Sequence, residues 1–208
     1  AEDNAVLPFV NNIWLIDLTG DELKQVLEQQ WQTNPGGPPP SRPFLHLGLS
    51  DHVQTTLDPT RPEGSRVTSV TIDGAPLDPA ATYTVSTFSF LGTGGDNFRA
   101  FTQGTSRDTG LVDRDLWIAY LQDNVPVSPD FARQQVYESG LPAVVYAGQH
   151  VTFTLNRLNL RSLGSPENTS LKVVADDGTT SVNGGTVPVA GGSAAVAFDV
   201  PAGFTGGG

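Results

Sequence analysis

The sequence predicts a mixed α/β domain over residues 1–138, of α+β character, followed by a small all-β sandwich over residues 139–208. Three observations carry this. A buried strand runs directly into a capped amphipathic helix between residues 13 and 31, strands and a second helix succeed one another up to about residue 130, and beyond residue 139 strictly alternating segments appear without helical periodicity. With 208 residues, of which 38% are hydrophobic, the chain can bury a core in one or two domains.

Ile13 to Leu18 is apolar enough for a buried strand. Thr19-Gly-Asp-Glu22 follows as a capping box, in which the Thr19 hydroxyl accepts from the Glu22 amide and the Glu22 carboxylate reaches back. The helix is expected to run to about Trp31, with Leu23, Val26, Leu27 and Gln30 on its inner face. Pro38-Pro39-Pro40 reads as a stiff loop. Phe44 to Leu49 and His52 to Leu57 are expected as strands, and Asp58-Pro-Thr-Arg-Pro-Glu-Gly64 as a turn. Arg66 to Asp73 alternates, Asp73-Gly74 marks a tight turn, and Thr82 to Phe88 alternates again, so the two runs read as a hairpin. A second helix is expected over Asp113 to Asp123, capped by Asp113.

In the second part, His150 to Leu155, Leu171 to Ala175 and Ser193 to Val200 read as strands, with Asp176-Asp177-Gly178 as a turn. Short alternating strands without a helix fit a sandwich of immunoglobulin-like character. The closing Thr205-Gly-Gly-Gly208 reads as a linker.

Thr87 to Phe98 joins a strand-like run to a turn with three glycines, Gly92, Gly94 and Gly95, and one acid, Asp96. Glycines admit backbone angles closed to other residues and let a ligand approach the main chain closely. A turn of this kind can equally be plain structure, with Phe88, Phe90 and Phe98 in the core. It is no dinucleotide fingerprint, since Phe98 stands where G-x-G-x-x-G needs its last glycine, and no Gly-Lys-Ser/Thr follows for a phosphate loop.

Taken together, Val70-Thr-Ile-Asp-Gly-Ala-Pro-Leu-Asp-Pro79, Thr82-Tyr-Thr-Val85 and Gly94-Gly-Asp-Asn-Phe98 resemble the C-terminal, substrate-binding domain of the 5′-nucleotidase family. Val6-Leu-Pro-Phe-Val-Asn11 resembles that family's Pro-Phe-Gly-Asn segment, with Val10 in place of glycine, and Leu15 to Leu27 its following strand and helix. The resemblance implies a nucleobase stacked between Phe9 and Phe90, Asn11 on the base edge, Asp96 on the ribose hydroxyls, and Gly94 and Gly95 shaping the loop, which leaves Phe88 and Phe98 to the core. It gives no base contact to Arg42, because Asn34 to Pro43 departs from the family pattern.

The same resemblance implies that catalysis resides elsewhere. Family members hydrolyse nucleoside phosphates with two divalent metal ions in an N-terminal metallophosphatase domain. His46, His52 and His150 lie in separate segments, and neither an Asp-x-His nor an Asn-His-Glu run occurs. No catalytic residue, metal ligand or cofactor site is therefore expected in these residues. The chain reads as a fragment of a longer secreted bacterial enzyme whose own N-terminal domain is its partner and whose location is extracellular or cell-wall associated.

Net charge is −11 with a pI near 4.4, and Lys24 and Lys172 are the two lysines. That disfavours a nucleic-acid polymer as ligand, since phosphate contacts need clustered cations. No run approaches the ~20 apolar residues of a membrane span, and without cysteine the chain forms no disulfide or thiolate site. The alternative function is a non-catalytic binding or adhesion module of a bacterial surface protein.

Overall fold

The computed structural model describes residues 6–34, 37, 38 and 40–204. Pro39 of the proline run and the closing Thr205 to Gly208 lie outside the described residues. The chain divides into two compact units, Ala1–Gly48 with Pro76–Asp130, and Leu49–Ala75 with Phe131–Gly208. The partition thus interleaves the chain, whereas the sequence reading cuts it once at residue 138.

The first unit is built on a three-stranded antiparallel sheet of order β5-β1-β6, with β1 at Asn12–Thr19, β5 at Thr82–Phe88 and β6 at Thr105–Val112. Strand periodicity sorts β1 cleanly. Ile16 and Leu18 are buried while Asp17 between them faces out and accepts from the Thr84 hydroxyl at 2.6 Å. The capping box forms as expected: the Glu22 amide donates to Thr19 Oγ1 at 3.2 Å and the Thr19 amide to Glu22 Oε2 at 2.8 Å. Helix α1, Gly20–Glu28, lays Val26 against Ile16, Leu18, Phe98, Ala100 and Phe101 to make the core.

Helix α1 ends at Glu28, short of the expected Trp31. Gln30 is fully buried in the turn that follows, and it replaces a strand with side-chain bonding. Its carbonyl accepts from the Leu45 amide at 2.8 Å and its Oε1 from the Leu47 amide at 2.9 Å. Residues 44–49, expected as a strand, thus form none, with Leu45 and Leu47 bonded to Gln30 after the end of α1 and a single bridge between Trp31 and Phe44. A single helical turn, α2 (Ser89–Gly92), follows β5. Helix α3 spans Asp113–Asp123 as expected, but Val112, not Asp113, is its N-cap.

The second unit holds a six-stranded sheet of order β11-β8-β7-β2-β3-β4. Its strands are β2 Val53–Leu57, β3 Val67–Ile72, β4 Ala75–Pro76, β7 Gln135–Ser139, β8 His150–Asn156 and β11 Ala194–Asp199. Asp73 and Gly74 take positive φ (52° and 79°), the conformation of a primed hairpin turn. Yet the expected hairpin of 66–73 with 82–88 does not form. β3 pairs with β2 and with the two-residue β4 that follows the turn, while β5 pairs with β1, so the 82–88 run belongs to a different sheet.

β7 pairs parallel with β2 and antiparallel with β8, which joins residues beyond 131 edge to edge with the β2–β3 hairpin. β9 (Ser170–Asp176) and β10 (Ser181–Pro188) form a separate two-stranded sheet. Gly184 of β10 lies against the Phe198 ring of β11, with room for no Cβ. At the turn joining β9 to β10, Asp176 and Asp177 accept backbone amides from Gly178, Thr179 and Thr180 at 2.7–3.0 Å, which is turn chemistry.

Candidate functional site

The antiparallel register of β1 and β5 places Ile13 opposite Phe88. The residues leading into β1 and those leaving β5 therefore emerge at the same end of the sheet. Phe9 and Asn11 lie on the first of these segments, Phe90 and the glycine loop on the second.

Phe9 is 75% exposed and Phe90 51%, so neither ring is part of the core. β5 spans Thr82–Phe88 as expected, and Phe90 sits just beyond it in α2. Phe98 is buried as expected, whereas Phe88, expected in the core, is 40% exposed. Phe88 instead lines an open apolar groove of about 470 Å³ with Val6, Leu7, Ile13, Leu116, Trp117 and Tyr120, along with Asp113.

The glycines have separate duties. Gly94 is left-handed (φ 85°, ψ 18°) and reverses the chain after α2. A Cβ on Gly95 would stand 2.5 Å from the Phe90 carbonyl and 2.7–2.8 Å from its ring atoms, so the Phe90 ring lies directly on the bare Gly95 backbone. A Cβ on Gly92 would stand 2.7 Å from the Trp14 ring. Asp96 (φ 50°) and Asn97 (φ 63°) continue the left-handed turn.

The loop is tied down by glutamines at the end of α1. Gln29 Oε1 accepts the Ala100 amide at 2.9 Å, and Gln32 Oε1 accepts Asn97 Nδ2 at 3.0 Å. Asp96 is half-exposed at the tip, where Arg42 Nη2 approaches its carboxylate at 3.6 Å. The family resemblance gives Arg42 no base contact, and nothing in the spacing of the two residues signals the approach.

Asn11 is bonded to the first residue of α3. Its backbone amide and its Nδ2 donate to Asp113 Oδ2 at 3.3 and 3.2 Å, and its carbonyl accepts the Asp113 amide at 3.0 Å. Its Oδ1 accepts no hydrogen bond among the described residues, which leaves an acceptor available to a ligand N–H.

Among the described residues no three of His, Asp and Glu gather into a group that could hold a metal ion. His52 Nδ1 pairs with Asp73 at 2.7 Å and His150 Nδ1 with Asp199 at 2.6 Å, both at the surface. No helix among the described residues is long and apolar enough to cross a membrane.

Residues 4–103 match the family described as "5′-nucleotidase, C-terminal domain". Over these residues the chain is similar to 5′-nucleotidase C-terminal domains. Its likeness to the trifunctional nucleotide phosphoesterase protein YfkN of Bacillus subtilis is 32% identity over 125 residues, 56% of this chain and 8% of that protein. The cell wall protein Lmo0130 of Listeria monocytogenes is 31% identical over 120 residues, 57% of this chain and 14% of that one. A 5′-nucleotidase precursor from Thermus thermophilus, of known structure, aligns with 64% of this chain and 26% of its own at 30% identity and a TM-score of 0.54. The chain thus spans a small part of the length of these relatives. The 5′-nucleotidase C-terminal match takes in β2 and β3, whose sheet continues through β7, β8 and β11 from beyond the matched residues.

Proposed function

We propose that this chain is the substrate-recognition part of a metal-dependent 5′-nucleotidase that hydrolyses nucleoside phosphates, and that the β1–β5 end of its first unit binds base and ribose. The observation that carries the reading is the β1–β5 register. It brings an exposed Phe9 and an exposed Phe90 to one end of the sheet, with Asp96 on the loop beneath Phe90. In this reading both rings offer flat faces to a base, a contact worth about 1–3 kcal/mol and indifferent to base identity. Asn11 Oδ1 accepts from the base edge, and the Asp96 carboxylate accepts from the ribose hydroxyls in place of Arg42.

Phosphate release belongs to a metallophosphatase domain of the same polypeptide, where two divalent ions would supply Lewis-acid activation of the phosphoryl group. Likeness to a cell wall protein supports an extracellular or wall-associated location. For residues 139–208 the reading is an immunoglobulin-like extension.

Titration of the chain with adenosine, followed by tryptophan fluorescence or NMR, tests the proposal. Phe90→Ala is expected to weaken binding by about ten-fold or more. Equal affinity of the variant and the parent chain overturns the stacking role. The chain alone is expected to release no phosphate from AMP with added divalent metal, and metal-dependent release overturns the division of labour.

A further inference from the structure

Arg133, Arg157 and Arg161, three of the nine arginines of a chain with net charge −11, line one cleft of about 1100 Å³ in the second unit. None of the three forms an ion pair with a carboxylate among the described residues. Arg133 donates from Nε to the Gln135 carbonyl at 3.0 Å, and the Arg157 guanidinium lies 4.4 Å above the centre of the Tyr137 ring. Partial burial and then the nearby Arg157 charge hold Arg133 below the usual arginine value, with Tyr137 opposing.

The neutral groups of the cleft have the same bias. Asn159 Oδ1 accepts the Asn168 amide at 3.0 Å, which fixes its side-chain orientation and turns its Nδ2 donor outward from that bond. Asn156 Oδ1 accepts from Ser193 Oγ at 3.1 Å. In both side chains the acceptor is committed to the protein, while neither Nδ2 has an acceptor among the described residues.

The loops that carry these groups are anchored. The Leu158 amide donates to the Gly192 carbonyl at 2.9 Å, and Asn168 Nδ2 donates to the Leu158 carbonyl at 2.9 Å. Two acids also line the cleft. Glu138 is buried and turned to Arg61 (3.8 Å) and to the Leu141 amide (3.2 Å), and Glu167 is exposed with no ion pair among the described residues.

We propose that this cleft binds a phosphate group carrying at least two negative charges. A guanidinium offers two parallel N–H donors, so one carboxylate satisfies one arginine, whereas a tetrahedral phosphate has oxygens enough to engage several at once. Unpaired cations and unused donors around one anchored cleft are the complement of such a ligand. The site is separate from the proposed nucleoside site and does not depend on it.

The test is a titration of the whole chain with pyrophosphate at low ionic strength, followed by NMR on the arginine side chains. Saturable shifts of the Arg133, Arg157 and Arg161 signals are expected, and binding should weaken by about ten-fold in Arg161→Gln and again in Arg133→Gln/Arg161→Gln. Glu167→Gln, which removes a repelling charge, should tighten binding, and Phe90→Ala should leave it unchanged. A glycerol-phosphate polymer, whose phosphodiesters carry one charge each, is expected not to displace pyrophosphate, and displacement at equal phosphate concentration overturns the two-charge requirement. Absence of saturable shifts, affinity unchanged in the double arginine variant while it keeps its urea midpoint, or equal binding of malonate overturns the proposal.

Discussion

Asn11 and Asp113 exchange three hydrogen bonds across the mouth of the first unit: two from Asn11 to Asp113 Oδ2 and one from the Asp113 amide to the Asn11 carbonyl. They fasten the segment that carries Phe9 to the start of α3. Asp113 is 6% exposed, so its carboxylate has little water to fall back on. Asp113→Ala is expected to destabilise the fold by about 1–3 kcal/mol, the cost of leaving the half-buried Asn11 donors unmet. It should also weaken adenosine binding, since Asn11 and Phe9 lose their mooring. A urea midpoint unchanged from the parent chain contradicts the mooring role.

Gly95 supports Phe90 by having no side chain. In Gly95→Ala the new Cβ meets the Phe90 carbonyl and ring at 2.5–2.8 Å, so the ring must lift from the loop. We expect adenosine affinity to fall about as far as in Phe90→Ala, while far-ultraviolet circular dichroism stays native, because the loop lies outside all three sheets. Affinity equal to that of the parent chain shows that the ring's seat on Gly95 is unimportant.

Local chemistry made part of this architecture legible. The Thr19–Glu22 box, the inner face of α1 and the extent of α3 depend on residues within a few positions of one another. Pairing partners were not legible in the same way. Asp73-Gly74 has the chemistry of a hairpin turn and makes one, yet the run after Pro76 leaves for another sheet, and no local signal marks that departure. The 44–49 segment misled for the opposite reason: its alternation is real, but the buried Gln30 supplies the bonds a neighbouring strand would have made. At the candidate site Phe9, Phe90 and Asp96 enter through the family resemblance alone. The groups that hold them, Asp113, Gln29 and Gln32, come from distant positions whose residue types announce nothing.

Thr19→Ala removes the acceptor that meets the Glu22 amide. The expected loss is about 1 kcal/mol, seen as a lower urea midpoint with an unchanged slope. Thr19→Ser keeps the hydroxyl and should restore most of the midpoint. Equal losses in the two variants assign the effect to the lost methyl group instead of the cap.

His52 gives the second unit a pH response. Its Nδ1 lies 2.7 Å from Asp73 Oδ1 and its Nε2 3.4 Å from Asp51 Oδ1. The Asp73 hydrogen bond, then the negative charges of Asp51 and Asp73, hold the imidazolium above its ordinary value of 6.5, against a small opposing effect of desolvation. A raised folded-state value means that the protonated form is the one favoured in the fold. The stabilisation is complete below pH 6.5 and disappears as pH rises through the folded-state value. Because all three side chains are exposed, the effect on global stability is small, and the proper measurement is the titration of the His52 ring protons by NMR. Asp73→Asn is the informative variant: asparagine also accepts the positive φ of 52° at this turn, so the β3–β4 connection survives while the charge goes. The His52 midpoint should then fall toward the ordinary value, with the remainder of the shift carried by Asp51. A parent-chain midpoint at or below 6.5 sinks the account, and so does a midpoint that does not move in Asp73→Asn.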